Sequence, residues 1–148
     1  EMYLKITGKM QKCTVGILGG ILLALALWCL VTKADKVTVL YNLLYYTVFI
    51  AFAEEFVVRG ICVYLVRGEE PYIRYLAPNL LFAVMHLFSY ANWGSITVPY
   101  VISFVSSELL GLLTMGCIFQ FLKEKSGTLW TAVLVHAILD YSVVLSYR

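Results

Sequence analysis

Apolar residues fall in five long blocks, at 13–31, 37–66, 75–91, 96–122 and 128–147, separated by short polar connections. A hydrocarbon core of about 30 Å requires about 20 apolar residues of helix, so each block predicts a membrane-spanning helix. The first block follows Lys5, Lys9 and Lys12 and lacks a small-residue cleavage site, so it reads as a retained span rather than a signal peptide. The second is too long to stand upright, because 30 residues of helix reach about 45 Å. It must tilt, leave the membrane before Arg67, or break, and Gly60 is one place for a break. Pro78 and Pro99 fall near the starts of their blocks, where a missing N–H is tolerated or a local break is expected. No repeat or second domain interrupts the pattern. The expected fold is all-α, one polytopic transmembrane bundle of about five spans forming a single domain over residues 1–148.

Composition agrees with this reading: the chain is 61% hydrophobic and 14% charged, with a mean hydropathy of +0.85. Soluble domains are about 45–50% apolar and about 25% charged. No basic patch interleaved with aromatics occurs, which argues against a nucleic-acid partner. The partners expected are the lipid bilayer and a peptide or protein substrate. The four cysteines, Cys13, Cys29, Cys62 and Cys117, lie in apolar runs without CxxC spacing and read as small core hydrophobes. Trp28, Trp93 and Trp130, with Tyr72, Tyr75, Tyr100 and Tyr147, cluster near block ends as an interfacial belt. A chain that opens at Glu1 rather than methionine reads as an excerpt, with room for further helices before it.

Basic residues alternate between the connections. If all five blocks cross, one side carries Lys5, Lys9, Lys12, Arg67, Arg74, Lys123 and Lys125, and the other only Lys33, Lys36 and Arg148. The positive-inside rule then places the N-terminus in the cytoplasm.

Against this background the ionisable residues inside the blocks stand out: Glu54, Glu55, Arg59, His86, Glu108, His136 and Asp140, including both histidines of the chain. A charge at the bilayer centre costs about 2.5 kcal/mol or more, so such residues face a bundle interior and pair, transport or react there. Counted from the nearest cytoplasmic basic residue, Glu55 lies 12 residues before Arg67, His86 12 after Arg74 and His136 11 after Lys125. On straight helices each sits about 16–18 Å deep, so three helices deliver reactive side chains to one level. Glu55 and Arg59, like His136 and Asp140, are four apart and share a helix face. The Glu55–Arg59 pair can be a mutually neutralising ion pair, which leaves Glu54 without a local counter-ion and suited to general acid or base work. Glu108 has three readings: a further site carboxylate, a partner to a polar group on a neighbouring span, or a protonated bystander.

These residues also form motifs: Glu54–Gly60 reads EExxxRG, Phe82–His86 reads FxxxH, and His136–Asp140 reads HxxxD after Leu129-Trp130. The ordered set resembles the CPBP family of intramembrane proteases, also called the Abi or CAAX-protease self-immunity family, related to the type II CAAX prenyl endopeptidases. It covers about residues 45–145. The resemblance implies an intramembrane endopeptidase in which Glu54 and His86 activate the attacking water, His136 and Asp140 steady the water or the oxyanion, and Arg59 fixes the Glu54–Glu55 pair. The substrate would be a membrane-associated peptide or protein, prenylated or bacteriocin-like. The family usually carries Asn where this chain has Asp140. An ionised carboxylate accepts but cannot donate, so Asp140 is protonated, orients His136, or binds a metal. No cofactor is expected; zinc is the alternative, since two histidines and a carboxylate make a possible ligand set, although the HExxH helix of many metalloproteases is absent. The competing functional readings are a nonenzymatic immunity or scaffold protein of the same fold and a proton-coupled transporter. The absence of an inverted repeat weighs against the latter. Short loops and small size point to a prokaryotic plasma membrane.

Overall fold

The computed structural model describes residues 3–89 and 96–146, so Trp93, Tyr147 and Arg148 of the expectations above lie outside the described residues. The described residues are helical apart from the N-terminal segment and short connections, without strands. Helix α1 (Lys9–Thr32) opens where the Gln11 side-chain carbonyl accepts from the backbone N–H groups of Thr7 and Gly8, at 2.9 and 3.0 Å. Helix α2 (Lys36–Leu44) is capped by Asp35, whose carboxylate accepts from the Thr38 hydroxyl and backbone N–H. Those two donors hold the Asp35 carboxyl below the usual carboxylate range.

From α2 the backbone remains helical to Leu65 but changes pitch: a π-helical stretch Tyr45–Phe52, one α turn α3 (Ala53–Glu55), a second π stretch Phe56–Cys62 and a last turn α4 (Val63–Leu65). The long second block is therefore accommodated by wide turns, one of which contains Gly60. Helix α5 (Pro71–Ser89) follows, then α6 (Val98–Ser107), with Pro99 in its first turn, and α7 (Leu109–Ser126). Gly127, at φ +69°, ends α7 in the left-handed conformation that favours glycine, and α8 (Leu129–Ser142) runs into a 3₁₀ turn, Val143–Ser146.

Two helical segments, Lys9–Thr32 and Leu129–Ser146, are long and apolar enough to cross a membrane, and Val98–Ser107 with Leu109–Ser126 makes a third if that pair is one span bent by 48°. By length and composition alone, two or three spans thus qualify among the described residues. The blocks that fall short have physical reasons: wide turns divide the second, and helix α5, which carries the third, is diluted by Arg74, Asn79 and His86. Helix α5 also begins four residues before its apolar block, so Pro78 lies well inside it and not near its start. A proline there deprives the Arg74 carbonyl of its helical donor. The Gln120 side chain of α7 donates to that carbonyl instead, at 3.1 Å.

Helix α8 is the centre of the bundle, packed against α1, the Tyr45–Phe52 stretch and α7. Ala26, Ala51 and Ala137 are fully buried where these elements meet, and small residues allow the backbones to approach. The N-terminal segment fastens one end: Leu129 donates its backbone N–H to the Tyr3 carbonyl, Trp130 its indole N–H to Leu4, and Gln11 its amide to Ser126 and Gly127. At the other end Lys33 donates to the Leu145 carbonyl, so α1 and α8 run parallel. Only 17% of the apolar window of α1 is buried, so most of that helix faces outward with an apolar surface, as a lipid-facing helix must. The described cysteines are all unpaired.

Candidate active site

The α3 turn presents two consecutive carboxylates, and consecutive helical residues point about 100° apart. Glu55 therefore faces inward, fully buried, while Glu54 turns toward a cavity of about 460 Å³. Helix α5 brings His86 to the same cavity, and α8 brings His136 and Asp140. Glu54 Oε2 lies 4.0 Å from His86 Nε2 and 3.9 Å from His136 Nε2. That oxygen is buried and has no hydrogen-bond partner among the described residues. Separations of this size between polar groups suit a bridging water.

Each imidazole is oriented through its other nitrogen. His86 Nδ1 lies 2.8 Å from the Phe82 carbonyl, an acceptor only, so Nδ1 carries the proton and Nε2 is the nitrogen turned to Glu54. His136 Nδ1 is 2.9 Å from Glu55 Oε1 and donates to it. Its Nε2 lies 3.3 Å from Asp140 Oδ2, so Asp140 meets His136 on the side of the ring that faces the cavity.

Below Glu55 lies a second arrangement. Arg59, fully buried, donates from Nη1 to Glu55 Oε1 at 3.2 Å and from Nη2 to Asn79 Oδ1 at 3.1 Å. Its guanidinium sits between the rings of Phe82 and Phe119, 4.5 and 5.5 Å from their centroids. Phe119 also stacks on His136, with centroids 4.7 Å apart. Asn79 is held in turn by the Tyr75 carbonyl and by Gln120. The Arg59 carbonyl, in the second π stretch, accepts from Lys123 Nζ at 2.7 Å. Gly116 faces this nest: a Cβ there would come within 2.6 Å of Asn79 Oδ1 and 2.9 Å of Arg59 Nη2. Only glycine leaves room for the guanidinium and the amide together.

All six motif residues, Glu54, Glu55, Arg59, His86, His136 and Asp140, thus meet in one place. Glu108 does not join them. It is exposed at the bend between α6 and α7, with no side-chain partner among the described residues. Asn79, Gly116, Phe119, Gln120 and Lys123 carry much of the arrangement and were not singled out from the sequence. Asn79 and Gln120 could have been, as uncharged polar residues inside apolar blocks, where a side chain must find a partner.

The family model described as type II CAAX prenyl endopeptidase Rce1-like matches residues 36–142. The chain belongs to this family. No curated protein and no solved structure matches it significantly. The matched region of this Rce1-like chain begins at the first residue of α2 and ends at the last residue of α8, so it contains every motif residue and omits α1. Membership makes the chain an integral membrane protein of a protease family, in accord with its apolar helices.

Proposed function

We propose that this Rce1-like chain is an intramembrane endopeptidase that hydrolyses a peptide bond with a water activated by Glu54 and His86. The observation that carries this reading is the buried, unpartnered Glu54 Oε2 between the two Nε2 atoms. A water there donates one proton to Glu54 and one to His86 Nε2 or the substrate side. Glu54 removes its proton as the oxygen attacks the carbonyl carbon, and the C–N bond breaks as that proton passes to the leaving nitrogen. His136 stands over the developing oxyanion. Its Nδ1 is committed to Glu55, so a proton on Nε2, held between imidazole and Asp140, is the donor offered to the negative oxygen. Arg59 touches no substrate in this scheme; it positions Glu55, which orients His136.

Zinc fits the spacing poorly. Ligands about 2.1 Å from a tetrahedral ion stand about 3.4 Å apart, whereas Glu54 is 4.0 and 3.9 Å from the two histidines, and among the described residues no group of three His, Cys, Asp or Glu side chains is gathered for an ion. This spacing supports a metal-free reading of the site. Tyr45, Ile50, Leu112, Met115, Leu139 and Val143 line the rest of the cavity and suit an apolar or lipid-bearing peptide. Five spans, a cytoplasmic N-terminus and a prokaryotic plasma membrane complete the reading. In support of the orientation, Gln11 bonded to Gly127 and Tyr75 bonded to Glu124 bring the Lys9, Arg74 and Lys125 regions to one end of the bundle.

The test is cleavage of a panel of membrane peptides, with and without a prenyl group, by purified protein before and after chelator treatment. Cleavage that survives the chelator is expected. Cleavage lost to the chelator and restored by zinc would overturn the metal-free mechanism.

A further inference from the structure

A second cavity, of about 290 Å³, lies at the basic end of the bundle between the end of α4, the start of α5, the end of α7 and the N-terminal segment. Arg67, Arg74 and Lys123 line it, with the rings of Tyr3 and Tyr64 and one carboxylate, Glu124. That carboxylate is already engaged: one oxygen accepts from the Tyr75 hydroxyl at 2.5 Å and the other from Gln120 at 3.3 Å. Lys123 is committed to the Arg59 carbonyl and lies over Tyr3. Neither arginine forms an ion pair among the described residues, although Glu69 and Glu70 stand in the loop that joins them. The Arg67 guanidinium lies over the Tyr64 ring, with Cζ 3.9 Å from its centroid, and spends one N–H on the Tyr64 carbonyl, which leaves other N–H groups of the fork open. The Arg74 side chain has no hydrogen-bond partner among the described residues.

Two arginines with no carboxylate partner among the described residues, lining a cavity in which the one described acid, Glu124, is satisfied, form a receptor for a tetrahedral oxyanion. In the helical turns that carry the arginines Leu65, Tyr72 and Leu76 are 71, 64 and 57% exposed, so this end of the bundle also offers apolar surface. We infer that this cavity binds a phosphate group, presented by an anionic phospholipid headgroup whose acyl chains lie along Leu65 and Leu76. Basic pockets between transmembrane helices are suited to such headgroups. This inference does not rest on the proposed peptidase chemistry, and its test reads binding alone.

The experiment is native mass spectrometry of the detergent-purified protein titrated with phosphatidylglycerol or phosphatidylcholine, and with phosphatidylglycerol plus inorganic phosphate. Wild type should retain phosphatidylglycerol in preference to phosphatidylcholine. The Arg67→Gln/Arg74→Gln variant should retain it about 30-fold less, from about 1 kcal/mol per basic residue. Both arginines are exposed, and an unchanged Tm without lipid confirms that the variant is folded. A Lys9→Gln/Lys12→Gln variant removes the same charge from the same end outside the cavity and should keep wild-type retention. Displacement of the lipid by millimolar phosphate would reassign the site to soluble phosphate and overturn the headgroup assignment. Equal retention of both lipids, or equal loss in the two double variants, would overturn the site.

Discussion

Glu54 and Glu55 are adjacent in the chain and opposite in circumstance. Glu55 is fully buried and shares one oxygen between Arg59 and His136, within a nest that continues through Asn79, Gln120 and Lys123. Each carboxylate keeps one buried oxygen, Oε2, without a partner among the described residues, but only Glu54 lines the cavity, and it does so within 4.0 Å of both histidines. The same side chain, one residue apart, is structural in one place and available in the other. The difference lies in partners supplied by other helices, not in the residue. In a membrane interior an unpaired charge is too costly to keep without use, so the cavity side is where chemistry belongs and the nest is what holds it in shape.

The strongest way to break this division is Arg59→Gln. Removing one member of a buried ion pair costs about 3–5 kcal/mol, so the variant should show a large fall in Tm in detergent, with activity lost along with the fold. A fall of less than a degree would mean the nest is not structural. Gly116→Ala comes next. Its new methyl would overlap Asn79 Oδ1 and crowd Arg59 Nη2, and overpacking of this kind costs about 1–3 kcal/mol. Thermal melting measures it, and a neutral result would show that the Asn79–Arg59 contact can move aside freely.

Asp140→Asn sharpens the cavity side. An amide keeps the shape and can donate to the oxyanion, but no longer shares a proton with His136. Turnover should stay within about tenfold of wild type, about 1.4 kcal/mol, with Tm unchanged. Loss of more than a thousandfold would assign Asp140 a part that only a carboxylate can take. The smallest effect is expected outside both regions, at the α2 cap. Asp35 has its pKa lowered by Thr38, so its contribution to stability is present above the unfolded carboxylate pKa and is lost as pH falls through the folded value. Asp35→Ala should therefore melt slightly below wild type at neutral pH, match it in acid, and leave peptide cleavage untouched. A difference that persisted unchanged in acid would contradict the cap.

The cavity side was legible in the sequence because its residues are conspicuous there: an ionisable side chain in an apolar block is rare, and counting along helices placed Glu55, and with it its neighbour Glu54, at the depth of His86 and His136. The nest was only half legible. Arg59 announced itself by its charge and its spacing from Glu55, but Asn79, Gly116 and Gln120 meet across α5 and α7, and helical periodicity gives a face without the register between two faces. The wide turns on either side of α3 leave no compositional mark, so the length of the second block hinted at a distortion without its form. The proline effect was misplaced for a related reason: helix α5 starts in the polar loop, where apolar patterning is silent. The 48° bend at Glu108 was equally hidden, because a carboxylate in an apolar run signals burial as readily as it signals a break.

The most direct test compares Glu54→Gln with Glu55→Gln for peptide cleavage and for Tm. Glu54→Gln should lower turnover by about 10²–10⁴-fold, the range for loss of a general base, with the melting temperature of wild type, whereas Glu55→Gln should lower Tm markedly. Full turnover in Glu54→Gln, or an equal loss of stability in the two variants, would contradict the division between a reactive carboxylate and a structural one.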